Sequence, residues 1–230
     1  MRVVVANDAA GLEQAAEALA GGALVALPTD TVYGLVGSAR APSVGRRLSE
    51  AKGRDGATAL QVLVGGVDQA DELAGPDGLA PVARRLADVL WPGGLTIVTD
   101  RRAGLVLDLG GDPSSIGLRC PAHDVVAALC RRVGALAATS ANGHGEMPLA
   151  TAAAVAARFD AAVAVVVDGG VGGSEPSTVV DVRSGQLHLL RVGVVPAQAV
   201  LVAAGAASSE GRDAGSSSRA RPALSPTADV

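Results

Sequence analysis

The segment Ala23–Gly37 reads ALVALPTDTVYGLVG, an apolar run that changes abruptly into polar residues. Ala23–Leu27 predicts a buried strand, which ends at Pro28. Polar side chains follow at once, and a second apolar segment begins after Gly34. A strand that opens into polar residues is typical of a sheet edge above a cleft. Tyr33, the single tyrosine of the chain, lies in this segment.

The rest of the chain mixes helical periodicity with short apolar runs. The pattern predicts helices over Gly11–Ala20, Pro42–Ala51, Asp68–Leu73, Leu79–Leu90, Asp124–Val133, Thr151–Phe159 and Ala197–Ala203. It predicts further strands over Leu60–Val64, Leu95–Thr99, Ser115–Cys120, Ala135–Ala138 and Val163–Val167, and a hairpin of Ser177–Val182 with Gln186–Leu190. Because strands and helices do not alternate strictly, we expect one α/β domain with a mixed sheet over residues 1–205. Residues 206–230, rich in Ser, Gly, Arg and Pro, predict a disordered tail.

Composition narrows the class of protein. Apolar residues make up 49% of the chain and aromatic residues 1%, which predicts a core of Ala, Val and Leu. The net charge of -4 argues against a strongly basic nucleic-acid binder. No apolar run is long enough to span a membrane, and the N-terminus turns polar too soon for a signal peptide. The two cysteines form neither a CxxC motif nor a disulfide framework, which indicates a cytoplasmic location.

Lysine occurs once, at Lys52, while every other cationic side chain is arginine. Because ammonium and guanidinium groups are not interchangeable at a binding site, a single retained lysine favours a functional role. Lys52, Gly53 and Arg54 place two cations on a bend, a pattern that suits phosphate groups. A solvated basic turn is the alternative interpretation of this pair.

Polar residues follow three predicted strands, in the sequences PTDT, TSAN and DGG. A ligand site at a sheet edge requires such a gathering, although each sequence alone also makes a common turn. Arg119 ends an apolar strand, where a buried charge needs either a ligand carboxylate or an internal aspartate as its partner. Arg191 ends the last strand in the same way. The sequence contains no P-loop or GxSxG motif, and its histidines lack metal-ligand spacing, so we predict no protein-held metal.

Seven short elements occur in one order, and together they resemble the YrdC-like family, the threonylcarbamoyl-AMP synthases. They are PTDTVYGL at Pro28–Leu35, KGR at Lys52–Arg54, WPGGLT at Trp91–Thr96, RCP at Arg119–Pro121, TSAN at Thr139–Asn142, STVVD at Ser177–Asp181 and LRVG at Leu190–Gly193. The resemblance covers roughly residues 5 to 200. It implies a single YrdC-like domain, with a twisted mixed sheet and flanking helices around a basic cleft. It also implies the short form, without the extra C-terminal domain of longer members.

The resemblance implies an enzyme, an L-threonylcarbamoyladenylate synthase of the nucleotidyltransferase type. Such an enzyme joins L-threonine, bicarbonate and ATP and releases pyrophosphate, and Mg²⁺ accompanies the ATP. A downstream tRNA threonylcarbamoyl-transferase complex would take the product for threonylcarbamoyl-adenosine modification of tRNA.

The resemblance also assigns residues to roles. The catalytic pair would be Lys52 and Arg54. The ATP-binding residues would be Lys52, Arg54, Thr139, Ser140, Asn142 and Arg191. L-Threonine would contact Thr29, Tyr33, Arg119 and Ser177, with Arg119 on its carboxylate and Tyr33 as a wall of the pocket. Asp30 and Thr31 are interpreted as turn residues only.

The chain departs from the family pattern at four positions, which leave one alternative open, and the basic residues of the cleft leave a second. Asp55, Ala59 and Gly94 stand where the family usually has proline, and Leu63 stands where some members have a threonine-contacting histidine. A diverged paralogue with another amine or carbamoyl acceptor is therefore one alternative. The other is a double-stranded RNA or tRNA-binding module, or a weak RNA contact, with a backbone groove lined by Arg46, Arg47, Lys52 and Arg54.

Overall fold

The computed structural model describes residues 1–6, 8–53, 58–143 and 145–205, so the predictions for Arg54, for Asp55 and for the tail lie outside the described residues. The described strands are β1 (Arg2–Val5), β2 (Val25–Leu27), β3 (Gly34–Ser38), β4 (Gln61–Leu63), β5 (Leu95–Asp100), β6 (Ser115–Arg119), β7 (Leu136–Ser140), β8 (Val165–Asp168), β9 (Thr178–Asp181) and β10 (His188–Arg191). The described helices are α1 (Ala9–Ala20), α2 (Val44–Ala51), α3 (Val67–Leu73), α4 (Pro81–Leu90), α5 (Asp124–Val133), α6 (Ala152–Phe159) and α7 (Ala197–Ala203).

All ten of these strands join one sheet in the order β1-β8-β2-β3-β7-β4-β6-β5-β9-β10. Parallel pairs (β1 with β8, β2 with β8, β4 with β6, β5 with β9) alternate irregularly with antiparallel ones. The predicted mixed α/β sheet is confirmed. The short β1 was not predicted, although its three consecutive valines are a local signal for a strand.

Helices pack on both faces of the sheet. α1 and α5 cover one face through a cluster that includes Leu19, Leu27, Leu129 and Val167. The remaining described helices bury the opposite face in a larger cluster, to which the central strands contribute Leu35, Val62, Ile97, Leu118 and Val180. The buried residues are mainly Ala, Val and Leu, as the composition predicts.

The pleat of the central strands separates an apolar face from a polar one. On β5, Leu95 and Ile97 enter the larger core cluster, whereas Thr96 and Val98 line a cavity on the face that α1 and α5 share. The cavity lies over β4, β6, β5 and β9 and reaches residues of β3 and β7, beside the region that those two helices cover. The fold thus leaves part of one sheet face available to a ligand.

The described helices are short compared with a membrane span. The longest, α1, has 12 residues, and none of the helices in the described ranges is long and apolar enough to cross a bilayer.

Candidate active site

A cavity of about 360 Å³ occupies this uncovered part of the sheet. Six of the residues predicted for the site line it: Thr29, Arg119, Thr139, Ser140, Ser177 and Arg191. They come from five separate parts of the chain, which the sheet order brings together. Three others, Tyr33, Lys52 and Asn142, do not line it, and Arg54 lies outside the described residues.

Lys52 joins the end of a helix to the end of a strand. It is the C-cap residue of α2, a position where the partial negative charge of the helix terminus favours a cation. Its Nζ donates to the Ser140 carbonyl oxygen at 2.8 Å, to Ser140 Oγ at 3.0 Å and to Asn142 Oδ1 at 3.1 Å. The KGR and TSAN motifs, to both of which the family resemblance assigns phosphates, therefore meet through the buried ammonium of Lys52.

Arg119 is fully enclosed, with an exposed fraction of 2%, and its partner is an internal aspartate. Nη2 lies 2.6 Å from Asp30 Oδ1, Nη1 donates to Thr31 Oγ1 at 2.8 Å and Nε donates to the Gly93 carbonyl oxygen at 3.1 Å. Burial lowers the pKa of the Arg119 guanidinium, and the nearby Asp30 opposes that shift. The interpretation of Asp30 and Thr31 as mere turn residues is wrong, because both hold this buried cation.

Thr29 shapes the turn in which these partners lie. Its Oγ1 donates to the Val32 carbonyl oxygen at 2.7 Å and accepts from the Thr31 backbone N–H at 3.1 Å. The hydroxyl is therefore committed to the turn, although the residue faces the cavity. Its second lone pair accepts from Thr31 Oγ1 at 3.0 Å, so the turn uses both the proton and the lone pairs of this hydroxyl.

Ser177 and Arg191 form one unit at the far wall. Arg191 donates to the Ser177 carbonyl oxygen through Nε at 3.0 Å and through Nη2 at 2.8 Å, and Nη2 also lies 3.2 Å from Ser177 Oγ. Ser177 Oγ contacts Thr96 Oγ1 at 2.9 Å. The structure thus places a predicted phosphate contact and a predicted threonine contact side by side.

Several polar residues of the cavity were not predicted from the sequence, among them Arg101, Thr96 and Gln61. Arg101 donates to the carbonyl oxygens of Ser115 and Leu107, and burial lowers the pKa of its guanidinium. Among the described residues, neither Arg101 nor Arg191 forms a salt bridge, so the cavity wall carries two guanidinium groups that no carboxylate pairs directly. A cavity with this charge favours an anionic ligand.

Tyr33 lies away from the cavity, so its position does not support the predicted role as a pocket wall. The side chain is completely buried, and its hydroxyl donates to the Gly170 carbonyl oxygen at 2.8 Å and accepts from the Gly169 N–H at 3.1 Å. Burial raises the pKa of the Tyr33 phenol, which stays neutral. The phenol anchors the loop after β8 against the turn before β3.

We expect Tyr33→Phe to reduce stability and leave ligand affinity unchanged. Loss of the two hydrogen bonds to a buried loop should lower the free energy of unfolding by about 1–3 kcal/mol, measured by urea denaturation. Threonine affinity, measured by calorimetry, should stay within about threefold of the original value. A tenfold loss of affinity at unchanged stability would instead restore Tyr33 to the ligand site.

Two of the departures from the family pattern lie at the cavity, and a third has a steric reason. Ala59 and Leu63 line the cavity wall. A Cβ on Gly94 would lie 2.1 Å from Val194 Cγ2, so the packing of Val194 leaves no room for a side chain at position 94.

Comparison with known proteins identifies the family. The Sua5/YciO/YrdC family, described as telomere recombination, matches residues 17–193. The chain belongs to the Sua5/YciO/YrdC family.

Relatives of this family include proteins named threonylcarbamoyl-AMP synthase. The one from Xanthomonas axonopodis pv. citri is 37% identical over 186 residues, which cover 79% of this chain and 98% of the relative. The one from Thiobacillus denitrificans is 35% identical over 168 residues, which cover 72% of this chain and 88% of the relative.

Solved structures of the Sua5/YciO/YrdC family share the fold. P. abyssi Sua5 complexed with L-threonine has a TM-score of 0.80 and 30% identity, and the match covers 88% of this chain and 60% of that one. The chain therefore spans less than two thirds of that Sua5 protein. E. coli YciO, at 20% identity and a TM-score of 0.77, has the same fold.

Proposed function

We propose that this chain forms L-threonylcarbamoyl-AMP from L-threonine, bicarbonate and ATP, with release of pyrophosphate. The observation that carries the proposal is the meeting of both predicted ligand groups in one cationic cavity. Arg119 and Ser177 lie at one side, and Ser140, bound by Lys52, lies at the other. The names of the relatives and the threonine complex of P. abyssi Sua5 support the same activity.

The chemistry needs positioning and charge neutralisation. The threonine amine and bicarbonate combine into a carbamate and water, and a carbamate oxygen then attacks the α-phosphate of ATP. The P–O bond to the leaving pyrophosphate breaks, and pyrophosphate takes the electron pair. Lys52, Arg101 and Arg191 would offset the phosphate charge, and the two held reactants would meet without a diffusional search.

Threonine would bind next to the Arg119–Asp30 pair. Two N–H groups of the Arg119 guanidinium have no acceptor among the described residues and can donate to the carboxylate of threonine. Asp30 already offsets the charge of Arg119. The attraction of the site for the threonine carboxylate therefore depends also on the positive charge of Arg191, which lies close enough to act on Arg119.

Mg²⁺ would enter on the phosphates of ATP. In the described ranges, no three His, Cys, Asp or Glu side chains gather where they could hold a metal ion. Magnesium is commonly held largely by substrate phosphates and water, which fits this donor set.

An RNA-binding role receives no support from the aromatic residues. The chain has three aromatic side chains, Tyr33, Trp91 and Phe159, and all are buried, so none can stack on an exposed base. Transfer of the product to a tRNA-modifying complex is part of the proposal, and so is a cytoplasmic location.

The test is incubation with ATP, bicarbonate and one amino acid at a time, with pyrophosphate release as the readout. We expect release that needs bicarbonate and is fastest with L-threonine. Release with a different amine, and none with threonine, would replace the proposal with the diverged-paralogue alternative. Absence of release with every amino acid would contradict a synthase.

Arg101→Met should weaken ATP binding specifically. Loss of one charge-assisted contact to a phosphate should lower ATP affinity about 10- to 100-fold, because such a bond contributes about 1.5–3 kcal/mol. The neighbouring Arg102 offers a matched control, since it donates to the carbonyl oxygens of Glu72, Pro76 and Asp71 and does not line the cavity. Calorimetry should show reduced ATP affinity in R101M only. Equal ATP affinity in R101M and the original chain would exclude Arg101 from the phosphate site.

A further inference from the structure

Gln61 lies in the middle of the cavity floor. On β4 it is directly opposite Ala138 of β7 and Gly117 of β6. Side chains on one face of a strand recur every second residue. Ser140 therefore follows Ala138 on this face of β7, and Arg119 follows Gly117 on this face of β6. Because β6 and β7 run in opposite directions, Ser140 and Arg119 lie on opposite sides of Gln61 along the floor. Gln61 is therefore placed between the predicted phosphate side and the predicted threonine side.

A chain of hydrogen bonds fixes the orientation of the Gln61 amide. Thr96 Oγ1 donates to Gln61 Oε1 at 2.9 Å. Since a hydroxyl carries one proton, Thr96 must accept in its 2.9 Å contact with Ser177 Oγ, and Ser177 must donate. Thr96 and Ser177 are both buried, so bulk water does not compete for these bonds.

This ordering decides what the two ends of the chain offer to a ligand. The Nε2 group of Gln61 carries two protons, for which no described residue provides an acceptor. Ser177 Oγ has given its proton to Thr96, and it can only accept. A donor, Gln61 Nε2, and an acceptor, Ser177 Oγ, are thus connected through Thr96 by two hydrogen bonds. Gly117, opposite Gln61, has no side chain to separate them from a ligand.

We propose that Gln61 is a substrate-contacting residue that selects the carbamate of threonine. Its Nε2 donates to one carbamate oxygen while Ser177 Oγ accepts from the adjoining N–H. The other carbamate oxygen is then the one that attacks the α-phosphate on the Ser140 side. This inference rests on the proposed function and adds to it a residue that recognises the reacting group itself.

The test compares Gln61→Met with Gln14→Met. Gln14 lies on α1, outside the cavity, and accepts from Arg2 Nη1 at 3.0 Å, so Q14M makes the same chemical change elsewhere. Two readouts are measured: kcat/KM for bicarbonate from pyrophosphate release, and calorimetric affinity for N-carbamoyl-L-threonine, a stable compound with the corresponding carbonyl oxygen.

We expect Q61M to lower both quantities about 10- to 100-fold, as loss of a hydrogen bond to a charged or strongly polar group predicts. Affinity for free L-threonine should stay within about threefold, and Q14M should match the original chain in every readout. Unfolding midpoints of both variants are measured beside these values.

The outcomes separate the two proposals. If the original chain releases pyrophosphate with threonine and Q61M has unchanged bicarbonate kcat/KM and N-carbamoyl-threonine affinity, the Gln61 assignment is wrong and the synthase proposal stands. An equal loss of free threonine affinity would also overturn it, since Gln61 would then contact the amino acid and not the carbamate. If the original chain neither releases pyrophosphate nor binds N-carbamoyl-threonine, both proposals are contradicted.

Discussion

Gly117→Leu should abolish synthase activity without unfolding the protein. Position 117 lies on the cavity floor, and a Cβ there would meet Thr96 Cγ2 at 3.5 Å and Val98 Cγ2 at 3.8 Å, which are ordinary contacts. The strand can therefore accept a side chain. The remaining atoms of leucine would extend into a cavity of about 360 Å³ and occupy the space of the reactants.

We expect the rate of pyrophosphate release in G117L to fall at least about 1,000-fold, because misplacement of reactants by 1 Å can already cost about 100-fold. Gly117→Ala is the graded control, since its Cβ alone fits, and it should keep activity within about tenfold. The unfolding midpoint of both variants should remain close to that of the original chain. Full activity of a folded G117L protein would place the reaction outside this cavity.

Lys52→Met should also remove activity, for an electrostatic reason. Methionine keeps most of the apolar stem but loses the ammonium that binds the Ser140 carbonyl oxygen, Ser140 Oγ and Asn142 Oδ1. We expect kcat/KM for ATP to fall about 1,000-fold or more, because a preorganised positive charge at a phosphoryl-transfer site is lost. Lys52→Arg should restore little of it, since the planar guanidinium cannot reproduce three contacts around a compact ammonium.

The Lys52 variants need a measure of folding, because the side chain is buried and its loss leaves polar partners unsatisfied. Threonine affinity provides that measure, since Arg119 and Ser177 do not contact Lys52 in the hydrogen bonds described. We expect K52M to bind threonine with affinity within about threefold of the original chain. If K52M turned over ATP at a comparable rate, Lys52 would be a structural support of the TSAN turn and nothing more.

The sequence predicted the elements whose signals are local. The helix over Asp124–Val133 is an example, since its limits match the observed α5, with Gly134 directly after it. The strand before Pro28 is predicted over Ala23–Leu27 but observed over Val25–Leu27, because apolar residues continue upstream of the first paired residue. The strand β1 was not predicted although Val3–Val5 favours a strand, because the run is only three residues long and its partner β8 lies far away in the chain.

Several residues of the site were predictable from the sequence, whereas the contacts between them were not. Family motifs identified Arg119, Ser177 and Arg191, and the cavity contains them. No spacing could predict that Lys52 donates to Ser140, 88 positions away, because that contact depends on how β3 and β7 pair.

Contacts between motifs were likewise invisible in the sequence. The partners of Arg119 lie 88 and 89 positions away, so no local pattern reveals that Thr31 and Asp30 hold this cation. Gln61 and Thr96 did leave a weak signal, since each is a polar residue among the first two positions of a mainly apolar strand.

The synthase reaction is tested by following the carbon of bicarbonate. The chain is incubated with ATP, L-threonine and ¹³C-bicarbonate, and the adenylate product is examined by mass spectrometry. We expect a threonylcarbamoyl-AMP that carries the label, appears only when threonine is present, and is absent from the reaction with G117L. Pyrophosphate release without a labelled adenylate, or a labelled product that G117L makes equally well, would contradict it.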